Sequence, residues 1–441
     1  MKKVLFSILF ILTATAIYSQ NDKKVIIQPE YDKYFTPERL RIDLIFAGNS
    51  KSQNVYLDNL KKESQWSGSK TNLVDTFNYG EYLLEIKELI KSGNEDTAGN
   101  TIYSKGFNTL FQEWRTTAEA SELSKAFNSS YLIPYPKSPI LLIIHERVKE
   151  TGKFKPLFQS KIDPTDKLIS REVENQYKLD TLLFNGPIES KVDILFIADG
   201  YTESEMEKFR SDAQKMTDYM FTLEPYKSRK NDFNVWAIES ISEDSGPDIP
   251  HEDIWKNTAA NSNFYTFRSD RYLTAQNQQL VCKLASNAPY DALYVLVNTP
   301  KYGGGGIYNF YGLCASDAKF NLEVFIHELG HSFAGLGDEY YDSSTSYEDF
   351  YNLKTEPWEP NITTLVNFDV KWKDMLKEGT AIPTPITGIE SDELGVYEGG
   401  GYMAKGIYRP RIDCRMKTNT AKDFCPVCQR AIQKMIDYYC K

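Results

Sequence analysis

The segment Asn321-Leu322-Glu323-Val324-Phe325-Ile326-His327-Glu328-Leu329-Gly330-His331 constrains this chain more than any other, because its chemistry only makes sense on a helix. His327 and His331 stand four residues apart, and on a helix that spacing puts both imidazoles on one face. An HExxH helix of this kind can grip one Zn²⁺ with its two histidines while Glu328 faces a zinc-activated water. Glu328 is then the expected general base, and the metal the expected Lewis acid toward a scissile carbonyl. The chain has four histidines and two of them fall in this pentapeptide, which argues against a chance arrangement on an ordinary amphipathic helix.

Catalytic zinc takes three protein ligands and keeps one position open. After His331 the chain continues Ser332-Phe333-Ala334-Gly335-Leu336-Gly337-Asp338-Glu339-Tyr340, and its glycines permit a sharp exit from the helix. The carboxylates of Asp338 and Glu339 are the candidates for the third ligand. His145 ends an apolar run and His251 lies beside Pro250, so both read as packing or surface residues.

The rest of the chain divides by rhythm. Residues 21–180 hold alternating segments such as Leu40-Arg41-Ile42-Asp43-Leu44 and Tyr82-Leu83-Leu84-Glu85-Ile86-Lys87, plus the apolar run Ile140 to Ile144, which predicts a mostly β, sandwich-like N-terminal domain. From about residue 181 the pattern changes to buried strands at Val192 to Ala198, Phe233 to Ile238 and Ala292 to Val297, alternating with helices. Thr202 and Glu205 form a capping box ahead of Met206, Phe209, Ala213, Met216 and Met220, and a second helical stretch is expected over 271–284. The fold class expected is α+β, with an α/β second domain over residues 181–441.

Lys2 and Lys3 precede an apolar run from Val4 to Ile17 followed by small residues, so residues 1–20 read as a signal peptide. That run is shorter than the roughly 20 residues of a membrane span, so no membrane insertion is expected after cleavage. Export to the periplasm, cell surface or exterior follows, and with it disulfides among the six late cysteines, Cys282, Cys314, Cys414, Cys425, Cys428 and Cys440. Cys425 and Cys428 could form half of a zinc ribbon, but no second CxxC accompanies them. A net charge of −10 speaks against a nucleic-acid partner.

The zinc helix, its glycine turn and the later Cys414-Arg415-Met416 resemble a metzincin zinc peptidase, in which a methionine turn lies under the metal. The usual metzincin pattern is HExxHxxGxxH, whereas this chain reads HExxHxxxGxxD. The glycine comes one residue late, but its three-residue interval to the next ligand is kept between Gly335 and Asp338. The resemblance therefore favours Asp338 as third ligand and leaves Glu339 to orient an imidazole or hold the loop. More specifically, Val192 to Tyr201, Tyr302 to Tyr311, the HELGHSFAGLGDEY segment and Tyr408-Arg409-Pro410 leading to CRMKTNTAKDFCPVC resemble the bacterial IgA-specific metalloendopeptidase family.

That resemblance implies a secreted endopeptidase with one catalytic Zn²⁺, acting on protein or glycoprotein, immunoglobulin A among them. It implies that Met416 packs below the ligands, and that Gly304 and Gly305 lie on a strand where substrate backbone approaches closely. Tyr402, Tyr408 and Arg409 are candidates to reach the substrate, as oxyanion stabilisers or as binding groups. The alternative from another class is an exported adhesion or glycan-binding protein carrying a vestigial peptidase domain.

Overall fold

A computed structural model describes residues 27–93, 95–174, 177–341, 350–386 and 392–441. The expected leader lies outside the described residues, and no helix among those described is long and apolar enough to cross a membrane.

The first part of the chain is built of antiparallel strands. β1 (Phe35–Gly48), β2 (Gln53–Glu63), β3 (Tyr82–Ser92), β4 (Glu95–Phe107), β5 (Lys125–Pro136), β6 (Ile140–Val148) and β7 (Lys153–Ile162) make two sheets, ordered β2-β1-β5 and β4-β3-β6-β7. The period-two alternation seen in the sequence becomes one shared core. Leu40, Ile42, Leu44 and Phe46 of β1 are buried with Tyr82, Leu84 and Ile86 of β3 and Leu142 and Ile144 of β6. A central β1 carrying Arg39, Arg41 and Asp43 on its other face departs from simple polar-out alternation, because those charges are buried too.

The second part centres on a six-stranded sheet. β8 (Leu179–Leu183), β9 (Val192–Asp199), β10 (Phe233–Ile238), β13 (Ala292–Val297), β14 (Gly304–Ile307) and β15 (Tyr311–Ala315) take the order β14-β15-β13-β9-β10-β8, while β11 (Ser262–Asn263) pairs β12 (Thr274–Ala275) and β16 (Tyr397–Gly400) pairs β17 (Met403–Arg409). The four inner strands run parallel and the two edges antiparallel. One face packs on the helices Met206–Met220, Asn321–Ala334 and Pro426–Cys440, and the other on Gln278–Leu284. Burial on both faces explains why β9 and β13 are apolar throughout their length.

The Thr202–Glu205 capping box is present, and the predicted apolar positions of the helix after it are all buried. The helix expected over 271–284 is shorter, Gln278–Leu284, because the Asn277 side chain caps it by accepting the Leu280 N–H at 3.2 Å. β8 lies in a stretch whose polar composition carried no strand signal; its pairing with β10 supplies the order.

The cysteine expectation needs correction. All six thiols are free, five of them buried, and the two sulfurs of Cys414 and Cys428 stand 3.8 Å apart rather than at the ~2.05 Å of a disulfide.

Candidate active site

The Asn321–Ala334 helix buries Val324, Phe325, Ile326, Leu329, Phe333 and Ala334 and turns His327, Glu328 and His331 toward a cleft. It ends at Gly335, whose φ of +63° is a left-handed conformation that favours glycine. The chain folds back there, and the Leu336 N–H reaches the Gly330 carbonyl at 3.1 Å. The same turn brings the Leu336 carbonyl to His331 Nδ1 at 2.6 Å. His327 Nδ1 lies 2.9 Å from the Arg415 carbonyl. A carbonyl can only accept, so each Nδ1 carries a proton and each Nε2 is left facing the cleft.

The two Nε2 atoms are 3.0 Å apart, and Asp338 Oδ1 lies 3.1 Å from one and 3.2 Å from the other. Asp338 is buried and its Oδ1 has no hydrogen-bond partner, while Oδ2 accepts from the Tyr402 hydroxyl. Burial opposes the charge of every group here, but proximity wins at Asp338, whose carboxyl the two imidazoles hold well below the usual range. His331 is pushed up to about 9, burial lowering it and the Asp338 carboxylate raising it by more. Three convergent donors, two with their outer nitrogens anchored and one with an orphaned buried oxygen, fit a divalent cation of the Zn²⁺ kind. Burial raises the Glu328 carboxyl, against the opposing pull of His327 and His331.

Met416 is fully buried beneath the helix, and Gly330 makes room for it: a Cβ at that position would sit 2.7 Å from Met416 Sδ. The Met416 carbonyl accepts the Glu339 N–H at 2.8 Å, so the turn under the histidines and the loop carrying Asp338 are hydrogen-bonded to each other.

Gly304 and Gly305 lie on the edge strand β14 beside the cleft. The glycine run has a packing cause that the sequence did not disclose. A Cβ on Gly304 would meet Val324 Cγ1 at 2.7 Å and Glu328 Oε1 at 3.1 Å, and one on Gly306 would meet the Glu328 carbonyl oxygen at 2.3 Å. The strand is stripped of side chains so that the helix bearing Glu328 can lie against it.

Other expectations change. Glu339 turns away from the imidazoles: its Oε1 accepts from Asn361 Nδ2 at 2.9 Å and lies 3.2 Å from Cys428 Sγ. Tyr408 is not among the cleft residues, since β17 pairs its backbone with Glu398 and with Thr363. Arg409 is buried, donating to the carbonyls of Glu398 and Gly399. Of those three, only Tyr402 reaches the cluster of His327, His331 and Asp338. His145 pairs with Glu85 at 2.8 Å and His251 packs on the Tyr265 ring, and neither side chain lines the cleft.

The first domain supplies a wall of the cleft, and here the sequence carried no signal. Thr109 caps the short helix Leu110–Trp114, accepting the Gln112 N–H at 2.9 Å, and that helix presents Glu113 to the cleft. The Tyr272 hydroxyl donates to Glu113, whose carboxyl is pushed up to about 7, burial first, with Glu328 and Asp338 adding to the rise. Tyr340 stacks near His327 at 6.4 Å between ring centroids and meets Tyr402 edge-on at 5.4 Å.

Comparison with known proteins agrees with this architecture. No curated protein matches the chain. The family model described as Peptidase M64 N-terminus matches residues 30–159, the two-sheet part. The model described as IgA Peptidase M64 matches residues 181–394 and 386–436, which take in the HExxH helix, the glycine strand and the Met416 turn, and so the chain belongs to the IgA peptidase M64 family.

Proposed function

We propose that this peptidase-family chain is an exported, zinc-dependent endopeptidase with a metzincin-like second domain, hydrolysing peptide bonds of protein or glycoprotein substrates. The carrying observation is the convergence of His327 Nε2, His331 Nε2 and Asp338 Oδ1 within 3.2 Å of one another, with both Nδ1 atoms anchored and Oδ1 otherwise unpartnered. A Zn²⁺ held there would supply a Lewis acid that polarises a carbonyl and acidifies a water.

The chain's own residues do the rest. Glu328, on the same helix face and raised by burial, takes a proton from the attacking water and passes it to the leaving amine. Asp338 balances the cation's charge, and Tyr402 fixes the orientation of that carboxylate. Met416 props the floor from below. β14, Tyr272 bridged to its Gly304, and Glu113 bonded to the Tyr272 hydroxyl all line the cleft, so an extended polypeptide would lie where the two domains meet. Immunoglobulin A is a candidate substrate on the family's name alone, and other surface glycoproteins stand beside it. The charged leader at Lys2 and Lys3 supports export, to the periplasm, the cell surface or beyond.

The test uses the mature chain and Glu328→Gln, with zinc content measured on both and new termini sequenced after incubation with a peptide library and candidate glycoproteins. The variant should keep its zinc and lose roughly 10²–10⁴ in turnover. A wild type that holds stoichiometric zinc yet cleaves nothing the variant spares sinks the peptidase reading. If that same protein binds glycoproteins tightly, the adhesion alternative replaces it.

A further inference from the structure

The half-ribbon Cys425-Pro426-Val427-Cys428 lacks a second CxxC in the sequence, but the fold completes it from elsewhere. Cys414, 11 residues before Cys425, and Glu339, 89 residues before Cys428, converge on the same point. One ligand atom from each of Glu339, Cys414, Cys425 and Cys428 lies within 4.8 Å of all the others, and all four residues are buried. We propose that these four residues form a second, structural metal site that takes Zn²⁺, separate from the histidine site and independent of the peptidase reading.

Three observations carry the assignment. The Cys414 and Cys428 sulfurs are 3.8 Å apart. A tetrahedral ion with Zn–S bonds of about 2.3 Å sets adjacent sulfurs about 3.8 Å from each other. Backbone N–H groups also point at two of the three sulfurs. The Cys425 N–H points at Cys414 Sγ at 3.2 Å and the Cys428 N–H at Cys425 Sγ at 3.4 Å, with Cys425 and Cys428 at the N-terminus of a 15-residue helix. Finally, Glu339 is 0 % exposed and its Oε2 has no hydrogen-bond partner. A buried carboxylate oxygen left unsatisfied among three thiols is costly unless a cation occupies the space between them. Three sulfurs and one carboxylate oxygen suit zinc over the oxygen-preferring calcium and magnesium.

The site sits at a place where it would matter. Glu339 follows Asp338 directly, and Cys414 precedes Met416 by two residues. An ion here ties the loop bearing the histidine site's third ligand to the turn beneath that site, reinforcing the 2.8 Å bond between Glu339 N–H and the Met416 carbonyl.

The experiment measures zinc by elemental analysis on the full mature chain, on His327→Ala/His331→Ala, and on Cys425→Ser/Cys428→Ser. The expected stoichiometries are two, one and one. Cobalt replacing zinc in the histidine variant should give intense near-ultraviolet sulfur-to-metal bands, which oxygen and imidazole ligands do not produce. Should the cysteine variant fail to fold, the histidine variant decides alone. A histidine variant without metal, a cobalt spectrum lacking the sulfur bands, or a Cys414–Cys428 disulfide found by mass spectrometry overturns the assignment. None of these outcomes touches cleavage by the wild type, so the two readings fail separately.

Discussion

At the scale of single residues, the candidate centre depends on groups that hold other groups. Tyr402 donates to the Asp338 oxygen that does not face the histidines. Tyr402→Phe should therefore weaken metal binding at the histidine site by about 10–100-fold while leaving the fold intact, read by zinc competition with a chelator. Asp338→Asn should weaken it further, since it removes the ligand itself, and equilibrium dialysis against zinc would rank the two variants. An unchanged affinity in Asp338→Asn would exclude that residue as the third ligand. The histidines and Glu328 were legible in the sequence because helical geometry makes a spacing of four a spatial contact. Tyr402 was legible only as a candidate of uncertain role. Its contact with Asp338 crosses 64 residues and is set by the β16–β17 turn, where Tyr402 takes a φ of +64°.

At the scale of elements, strand and helix are matched by what they lack. Gly306→Ala places a methyl 2.3 Å from the Glu328 backbone oxygen, and neither backbone can yield without moving the HExxH helix. The expected cost is about 1–3 kcal/mol of stability by chemical denaturation, with turnover falling more than zinc content. The N-terminal sheet carries a separate prediction. Burial raises the Glu85 carboxyl, but His145, Thr101 and Lys87 outweigh it and bring it down to about 2 from 4.5. The unfolded chain then binds more protons than the folded one between those values, so stability from this group is complete above about pH 4.5 and is lost as pH falls toward 2. Glu85→Gln should remove a pH-dependent contribution of roughly 2–3 kcal/mol, seen as a shallower acid limb in unfolding midpoints against pH. A variant with an unaltered acid limb would disprove the pairing's role.

Across the whole molecule, the two domains are joined by buried polar contacts rather than by a tether alone. Arg39 of β1 donates to the carbonyls of Ala288 at 3.0 Å and Ser286 at 2.9 Å while paired with Glu63 at 2.8 Å. Arg39→Ala should cost about 3–5 kcal/mol, because it leaves buried acceptors and a carboxylate short of a donor, and it should split one unfolding transition into two by calorimetry. The cleft itself is shared, so Glu113→Gln in the first domain should alter substrate KM or the pH profile without changing zinc content. A kinetic profile identical to wild type would return the first domain to a scaffold role.

What the sequence determined alone was local and periodic: the alternating strands of the first domain, the apolar strands β9, β10 and β13 of the second, the capped helix after Thr202, and the HExxH face with its glycine exit. These follow from spacing within a few residues, where backbone geometry converts order along the chain directly into position in space. Only the tertiary structure decided that Asp338 points at the histidines while its neighbour Glu339 points at three cysteines, that Tyr408 leaves the cleft, and that Glu113 enters it. Successive residues on an extended loop face opposite ways, and which way each faces is set by packing partners tens to hundreds of residues distant, beyond the reach of any local pattern.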